Sequence, residues 1–389
     1  MTFDRTAEER MIYDSVTEAL DGLDEAYWRE HDAAHEFPSE FWDRLDEGGW
    51  LGLRIPEEYG GAGGSMREEL TMVKAMTQTG AGYGAAFVYI VHSLVTIPLV
   101  RNGTEAQKET YLPKLANGEL NSAFFLTEPQ TGFDTLSMET TAEKDGDEWV
   151  IRGEKTYISN ASRADLMLVM ARTSEPSGDT RTDGMSMFLV DRNAHDVDIE
   201  VTPLDKLGLN YTDTSHVYIN EIRVPEGSSL GPIDDGWPSI LDILNPERMI
   251  VAAACIGAGN YVLDLASDYA SDRVVFDRPI GKNQGVQFPL AEAKIHLETA
   301  DAANRKAAWK YDHDEPCGFE SNAANFVASE WGTKAANRAI QTLGGSGYMK
   351  DSEVERFWRE MRLQEIAPVS QQMILNYVGE HVLDLPKSY

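Results

Sequence analysis

The segment Phe124-Phe125-Leu126-Thr127-Glu128-Pro129-Gln130-Thr131-Gly132-Phe133-Asp134 lies where the pattern of the chain changes. In the first long segment before it, apolar residues recur at helical steps of four, four and three, at Ile12, Val16, Leu20 and Leu23. From about residue 122, short alternating segments with turns between them are typical of strands. The sequence therefore predicts a helical domain over residues 1–120 that passes directly into a β domain.

Local signals add detail to the helical domain. Thr104 and Gln107 have the spacing of a capping box, which predicts that the helix over Ala106–Leu115 begins there, and Pro113 is predicted to break it. The glycine-rich segment Tyr59–Gly64 predicts a loop.

The β domain is predicted over residues 121–232. Lys144, Asp145 and Gly146 separate two alternating runs and predict a hairpin, with the glycine supplying a positive φ. Further strands are predicted at Asp165–Arg172, Met185–Asp191 and Ser215–Val224. Short strands at this spacing indicate a small barrel or sandwich.

Residues 233–389 return to helical periodicity, and the helices are long. They are predicted at Pro238–Asp272, Gln284–Asp312, Glu320–Leu343 and Val369–Leu383. Long apolar helices in an antiparallel series form a bundle. The predicted fold is mainly α with a central β-barrel, in the order helical domain, barrel, four-helix bundle.

The net charge of the 389-residue chain narrows the range of functions that it can have. It carries 65 Asp and Glu against 34 Lys and Arg, a net charge of −31, which disfavours binding to nucleic acid. Only 13 of the basic residues are Lys. A surface this acidic and poor in lysine indicates adaptation to high salt, where screening relieves self-repulsion, and an acidic protein from ordinary salt is the alternative.

Other features of the sequence bear on the cellular location of the protein and on metal binding. We expect no apolar run of the roughly 18 residues needed to span a bilayer, and Met1–Arg10 is acidic and polar, unlike a signal peptide, so the expected compartment is the cytoplasm. Cys255 and Cys317 predict neither a disulfide framework nor a metal site. His31 and His35 are predicted to be a solvated pair, so no metal is expected.

Three segments place polar groups among apolar or glycine-rich neighbours. The opening segment could line a flat heteroaromatic ligand, although an ordinary strand-to-loop junction explains it as well. Tyr157 and Ser159 are predicted on one side of a strand, as a ligand contact or as ordinary barrel packing. The glycines of Gln341–Tyr348 would let the backbone approach a diphosphate, but the segment lacks the context of a dinucleotide fingerprint.

In this order the segments resemble the acyl-CoA dehydrogenase family over nearly the whole chain. Ile55–Gly61 resembles the family's PEEYGG motif, and Gly103–Lys108 with Tyr111–Pro113 resembles its GTEEQK…YLP motif. Leu126–Pro129 with Gly132 and Asp134 resembles LTEPxAGSD, and Lys155–Asn160 resembles KxWITN. Arg273–Phe276 with Pro279, Ile280 and Gln284 resembles RxxFGxPI…Q.

The resemblance implies an FAD enzyme, usually a homotetramer, in which each flavin also contacts a neighbouring subunit. The positions matching the flavin ring site are Phe124, Leu126, Thr127, Tyr157 and Ser159. The positions matching the neighbour's contacts to the adenosine-diphosphate end are Arg273, Phe276, Gln284, Gln341 and Gly345. Val369 and Gln371 are further positions assigned to the cofactor by the same resemblance.

The implied reaction removes an α-proton from an acyl-CoA thioester and passes a β-hydride to flavin N5, giving a trans-2-enoyl-CoA. The usual catalytic Glu position holds Ala367, whose methyl group cannot take a proton. The segment Leu244-Asn245-Pro246-Glu247-Arg248 matches the alternative placement in the isovaleryl and long-chain branches, so Glu247 is the predicted base. The alternative for Glu247 is a first-turn residue of a helix that restarts at Pro246.

Further positions are assigned to the substrate. Arg248 matches a position near the CoA arm, with a salt bridge inside the bundle as the alternative. Phe133 replaces a serine by the thioester arm, and both Phe133 and Pro368 could reshape the acyl pocket. The complete predicted substrate set is Phe133, Asn245, Arg248, Ala367 and Pro368.

Several functions remain compatible with the residues. The resemblance implies a dehydrogenase of fatty acid β-oxidation that delivers electrons to an electron-transfer flavoprotein. An enoyl-CoA reductase or an acyl-CoA oxidase on the same scaffold is the first alternative. A non-catalytic paralogue that binds FAD or acyl-CoA is the second, because Ala367 lacks the usual carboxylate.

Overall fold

Helices make up the first part of the chain. The computed structural model describes residues 5–176, 180–367 and 369–388. The helices are α1 (Ala7–Ala19), α2 (Glu25–Ala34), α3 (Ser39–Glu47), α4 (Met66–Met76), α5 (Gly82–Asn102) and α6 (Glu105–Ala116), and a π-helical turn, Thr77–Ala81, joins α4 to α5.

Two predictions for α6 meet different outcomes. The capping box is confirmed, since the Thr104 side chain accepts from the Gln107 N–H and the Gln107 side chain accepts from the Thr104 N–H. The predicted break at Pro113 is wrong, because α6 continues to Ala116. Leu112 and Leu115 on either side of the proline are fully buried, and this packing outweighs the lost hydrogen bond.

The middle of the chain forms one curled, seven-stranded sheet. Its strands are β1 (Ser122–Phe125), β2 (Thr141–Asp145), β3 (Glu148–Ser159), β4 (Leu166–Arg172), β5 (Met185–Asp191), β6 (Asp196–Pro203) and β7 (Thr214–Pro225). The order is β1-β4-β2-β3-β7-β6, with β5 paired to β4. The hairpin at Gly146 is confirmed, with a φ of 64°. The strand β6 was not predicted because its high acidic content indicated a solvated surface stretch.

The last part of the chain is a helical bundle. It contains α7 (Trp237–Asp272), the short hairpin β8 (Val274–Val275) and β9 (Arg278–Pro279), α8 (Gln284–Tyr311), α9 (Gly318–Leu343), α10 (Glu353–Arg362) and α11 (Gln371–His381). The antiparallel series is confirmed for α7 and α8, because Asn304 contacts Met249 and Lys294 contacts Asn260. The short, highly charged α10 was not predicted.

Two helical stretches are long and apolar enough to cross a membrane, contrary to the expectation from the sequence. They are Met66–Asn102 and Trp237–Asp272, and 83% of the tested window in each is buried inside the protein. Burial of this extent is that of core helices, and it explains why both are so apolar.

One apolar cluster joins the three parts of the fold. Leu99 of α5 and Ile240 and Ile243 of α7 are buried in it, and Phe124 and Leu126 at the end of β1 pack against it. The segment that marks the change of pattern in the sequence is therefore held beside the first turns of α7.

Candidate functional site

Glu247 is a buried carboxylate in the middle of the protein. It lies within the 36-residue helix α7, which continues through Pro246 without a break, so Glu247 is not a first-turn residue. Only 5% of the residue is exposed. Within the described ranges its carboxylate accepts no hydrogen bond and forms no ion pair. Burial raises the pKa of Glu247 to about 8, and the charge of Arg248 opposes this shift.

Arg248 donates a hydrogen bond to Asn245 of its own helix, and Asn245 also accepts one from α9. Its Nη1 donates to Asn245 Oδ1 at 3.0 Å, and Ser321 Oγ of α9 donates to the same oxygen at 3.3 Å. Its Nε is buried and has no hydrogen-bond partner in the part of the chain that the structure describes. The predicted alternative of a salt bridge for Arg248 is therefore not what the geometry shows. Asn245, Glu247 and Arg248 lie close together in sequence in the N-terminal third of α7.

The stretch 366–370, which matches the usual position of the catalytic Glu, contains no acidic residue. Ala367 is half-buried, and its N–H donates to Leu363 O at 3.0 Å. Val369 and Gln371 are also half-buried, and Gln371 Nε2 lies 3.5 Å from Ser329 Oγ of α9. Pro368, predicted to shape the acyl pocket, lies outside the described residues.

The positions predicted for the flavin ring lie on two adjoining segments of the sheet. Phe124, Leu126 and Thr127 are half-buried, and Thr127 O accepts from the Thr156 N–H at 2.8 Å, which joins the first segment to β3. Leu126 packs in the same apolar cluster as Leu244, three residues before Glu247. The structure thus brings Leu126 and its neighbours close to the turn of α7 that carries Glu247.

Tyr157 departs from regular strand geometry. It has a φ of 57° and lies in a register irregularity between Lys155 and Ile158, so simple alternation does not set its direction. Its side chain is 68% exposed, and Ser159 is half-buried. Phe133 is also exposed, at 63%, in the loop after β1. An exposed ring beside hydroxyl groups suits contact with a flat heteroaromatic molecule.

A buried ion pair beneath these segments was not predicted. Lys155 Nζ donates to Glu128 Oε1 at 2.8 Å and to Leu126 O at 3.2 Å, and both charged side chains are almost completely buried. Glu128 also accepts from the N–H groups of Glu139 and Thr140. The available signal was the parity of β3, because Lys155 shares the inward face of Ile151. The pair fixes the spacing of the two segments.

The second predicted cofactor set lies at the other end of the bundle. Its members are all exposed: Arg273, Phe276, Gln284, Gln341 and Gly345. Arg338 of α9 lies 3.8 Å from Glu292 of α8, so the end of α9 is beside the start of α8. Arg273 is 26 residues along from Glu247, roughly 39 Å at the rise of an α-helix. Within one chain, the two sets do not meet.

Glycines directly after the end of α9 leave room for a ligand to contact the protein backbone. A Cβ built on Gly344 or Gly345 meets no described atom within 4 Å. Across the described ranges, no group of three or more His, Cys, Asp or Glu side chains is placed to hold a metal ion.

Comparison with known proteins identifies the family. Models of the acyl-CoA dehydrogenase N-terminal, middle and C-terminal domains match residues 6–119, 123–222 and 234–383. The chain belongs to the acyl-CoA dehydrogenase family and is an oxidoreductase.

Curated relatives of similar length include enzymes named for both reaction directions. Acyl-CoA dehydrogenase FadE12 of Mycobacterium tuberculosis is 33% identical over 100% of this chain and 99% of its own. The 3-(aryl)acrylate reductase of Clostridium sporogenes is 34% identical, over 89% and 91%. The caffeyl-CoA reductase-Etf complex subunit CarC of Acetobacterium woodii is 33% identical over 93% of each chain.

Solved structures share the whole fold. Glutaryl-coenzyme A dehydrogenase has a TM-score of 0.93 at 28% identity, covering 100% of this chain and 98% of its own. Butyryl-CoA dehydrogenase from Megasphaera elsdenii has a TM-score of 0.92 at 28% identity, covering 98% and 100%. Members of the family depend on FAD. The exposed Tyr157 ring fits contact with a flat ring system, and the open glycines at the other end of the bundle fit contact with a diphosphate.

Proposed function

We propose that this protein dehydrogenates an acyl-CoA thioester to a trans-2-enoyl-CoA, with Glu247 as the base that removes the α-proton. The observation that carries this proposal is the buried, unpartnered Glu247 carboxylate, whose pKa burial raises to about 8. A base of ordinary carboxylate strength is poorly matched to the weakly acidic α-proton of a thioester. A desolvated carboxylate with a raised pKa is better matched.

The neighbouring residues support this role. Ala367 has no group that takes a proton, so the alternative position for the base is closed. Asn245 and Arg248 on the same turn supply polar contacts for the thioester arm, and Phe133, Ala367 and Pro368 are the proposed remainder of the substrate site. When bound, FAD supplies the acceptor for the β-hydride. We assign Phe124, Leu126, Thr127, Tyr157, Ser159, Val369 and Gln371 to holding it.

The test is the variant Glu247→Gln. It is expected to retain FAD and to lose dehydrogenation by orders of magnitude, measured anaerobically as bleaching of the visible flavin band by short, branched and long acyl-CoAs. Asp268→Asn, an exposed acid on the same helix, is the matched control and should bleach normally. Near-normal bleaching by Glu247→Gln would remove Glu247 as the base.

A second candidate is the reducing direction on the same residues. Two relatives are named as reductases, and one of these belongs to a complex with an electron-transfer flavoprotein. Bleaching by saturated thioesters favours the dehydrogenase, whereas oxidation of pre-reduced enzyme by enoyl thioesters alone favours the reductase. Oxygen consumption during turnover would indicate an oxidase, and flavin unresponsive to every thioester would indicate a non-catalytic paralogue.

The exposed second set supports a shared cofactor site. Arg273, Gln284, Gln341 and Gly345 lie far from Glu247, and Phe276 is 94% exposed. Together with the neighbouring exposed Val274 and Val275 it forms a contiguous apolar patch, which is typical of an interaction site. We therefore assign this set to the FAD of a neighbouring subunit in a homotetramer, which sedimentation in molar salt would detect.

The wider setting is also a proposal. We place the protein in the cytoplasm of a salt-adapted organism, in fatty acid β-oxidation, with an electron-transfer flavoprotein as acceptor and domain limits of 1–120, 121–232 and 233–389. The composition supports the salt adaptation, and the relatives named above support the acceptor.

A further inference from the structure

Helix α9 carries a buried polar stripe, which consists of Ser321, Asn325, Ser329 and Thr333. These residues recur at steps of four, so they lie along one face of the helix. All four are buried inside the bundle. Buried polar groups in folded proteins nearly always have hydrogen-bond partners, so each member of the stripe indicates a specific contact.

The stripe passes two residues that are assigned to the site. Ser321 Oγ donates to Asn245 Oδ1 of α7 at 3.3 Å. Ser329 Oγ lies 3.5 Å from Gln371 Nε2 of α11, and the Thr333 hydroxyl donates to a backbone oxygen in the last turn of α10. Asn245 belongs to the proposed substrate set, and Gln371 belongs to the proposed cofactor set. The buried stripe therefore extends from one proposed set to the other.

Asn325 is the member of the stripe whose amide is unpaired. Only 1% of the residue is exposed, and neither its Nδ2 nor its Oδ1 has a hydrogen-bond partner within the described ranges. Burying an amide without partners is costly, so this group calls for an explanation. Its neighbours one turn away on either side contact Asn245 and Gln371, so the free amide lies between the two proposed sets.

Contacts at two points fix how α9 lies along α7. The first is the hydrogen bond to Asn245 given above, and at the second a Cβ built on Gly332 would lie 3.3 Å from Cys255 Cβ. Both helices advance about three turns between these contacts, so they run parallel and in step. Asn325, one turn beyond the first contact, is therefore level with Arg248, whose buried Nε also lacks a partner in the described part of the chain.

We propose that Asn325 is a specificity-determining residue, and that the acyl group of the substrate carries a hydroxyl beyond its β-carbon. This inference rests on the proposed function, whose substrate class it narrows. A hydroxyl both donates and accepts, so it can pair with the Oδ1 and the Nδ2 of Asn325. A carboxylate only accepts and would leave the Oδ1 unpaired, and a plain alkyl chain would leave the whole amide unpaired.

The depth of Asn325 favours contact with the acyl group over contact with the CoA arm. The arm has to reach solvent, whereas Asn325 is almost completely buried. Asn325 also lies one turn from the contact to Gln371, which is assigned to the flavin, and the acyl group is the part of the substrate that reacts there. A site that hydrogen-bonds a substrate hydroxyl discriminates strongly against the analogue that lacks it.

The experiment compares thioester binding by Asn325→Leu and Asn322→Leu with FAD bound. Asn322 is a buried asparagine of the same helix whose Nδ2 already donates to Gly318 O at 2.7 Å. Both substitutions are made in the Glu247→Gln background, which should bind thioesters without reducing the flavin. Dissociation constants are read from the visible flavin spectrum, for acyl-CoAs of equal length with and without a hydroxyl beyond the β-carbon. The preference for the hydroxyl should fall about tenfold to a hundredfold in Asn325→Leu and stay unchanged in Asn322→Leu.

The outcomes separate this inference from the function on which it rests. Equal losses of affinity for both thioesters would assign Asn325 to the CoA arm, and an unchanged preference would leave a trapped water as the partner of its amide. Either result overturns the inference while Glu247 remains the base, as does a parent enzyme with no preference for the hydroxyl. Bleaching in the Glu247→Gln background contradicts the proposed base alone, and the preference is then taken from kcat/KM. Should Asn325→Leu fold poorly, Asn325→Ala removes the amide without adding volume.

Discussion

A single buried carboxylate links the chemistry of this enzyme to its stability. Glu247 has a pKa of about 8 in the folded protein against an ordinary value of 4.5, so the folded state binds a proton that the unfolded state has released between these values. The contribution of this group to stability is complete below pH 4.5 and is lost as pH rises through 8. Burial of the Glu247 carboxylate therefore lowers the free energy of unfolding by an amount that grows as pH rises from 4.5 to about 8.

Glu247→Gln should consequently be more stable than the parent protein in alkaline solution. The full shift corresponds to about 5 kcal/mol in the free energy of unfolding, and partial hydration in solution will reduce this to a few kcal/mol. Denaturant unfolding at pH 5 and pH 9 measures it, with a gain expected mainly at pH 9. Asp268→Asn should show no such pH-dependent gain. A Glu247→Gln variant that is equally stable at both pH values, relative to the parent, would contradict the raised pKa.

Individual side chains also mark the limit of prediction from sequence. Glu247 and Ala367 were assigned because both fall within motifs, and the structure places Glu247 in a dry environment as expected. Lys155 and Glu128 lie within motifs too, but their pairing depends on how β3 packs under the β1 segment. Tyr83, a fully buried residue in the first turn of α5, lies in no motif. Its environment is made by α7 and α10, which are more than 150 residues away in sequence, so local patterns contain no sign of it.

At the scale of elements, the close approach of α5 to α10 depends on glycine. A Cβ on Gly84 would lie 2.7 Å from the Tyr211 ring and 2.8 Å from Glu360. Both neighbours are held by hydrogen bonds, Tyr211 to Trp28 O and Glu360 to the N–H of Gly84 itself. Neither is free to move aside.

Gly84→Ala should therefore destabilise the protein by about 1–3 kcal/mol, as expected for overpacking in a tight core. The comparison is Gly285→Ala in the first turn of α8, where an added Cβ meets no described atom within 4 Å and alanine is the better helix former. The thermal midpoint should fall for Gly84→Ala, and it should rise or stay unchanged for Gly285→Ala. Equal midpoints for both would show that α5 and α10 are less tightly packed than described.

Elements also show where periodicity succeeds and where it fails. The four long helices of the bundle were predicted within a few residues of their ends because their apolar residues recur over many turns. Pro113 was predicted to end α6 on a local rule, and the burial of its neighbours reversed the outcome. The strand β6 was missed because its acidic residues indicated a solvated surface stretch, although Val197, Ile199 and Val201 alternate with them as in a half-buried strand.

At the scale of the whole molecule, the net charge of −31 affects both the folding of the chain and its assembly with other subunits. Repulsion among surface carboxylates opposes folding and assembly, and salt screens it over a few ångströms at molar concentration. We expect the thermal midpoint to rise when KCl is increased from about 0.1 M to about 2 M. A scan at several concentrations, repeated with tetramethylammonium chloride to separate screening from specific cation effects, measures this. A flat or falling midpoint would contradict salt adaptation.

Mutations at the two ends of α7 are expected to affect two different subunits. Under the roles proposed above, a substitution near Glu247 would inactivate the chain that carries it, whereas a substitution at Arg273 would weaken the cofactor site of the neighbouring chain. Two inactive variants could then complement one another within a mixed assembly, as separate alleles of one gene do. Whether two defects complement each other would then depend on which end of α7 each one alters. A cell that carries one allele of each kind would keep part of its activity.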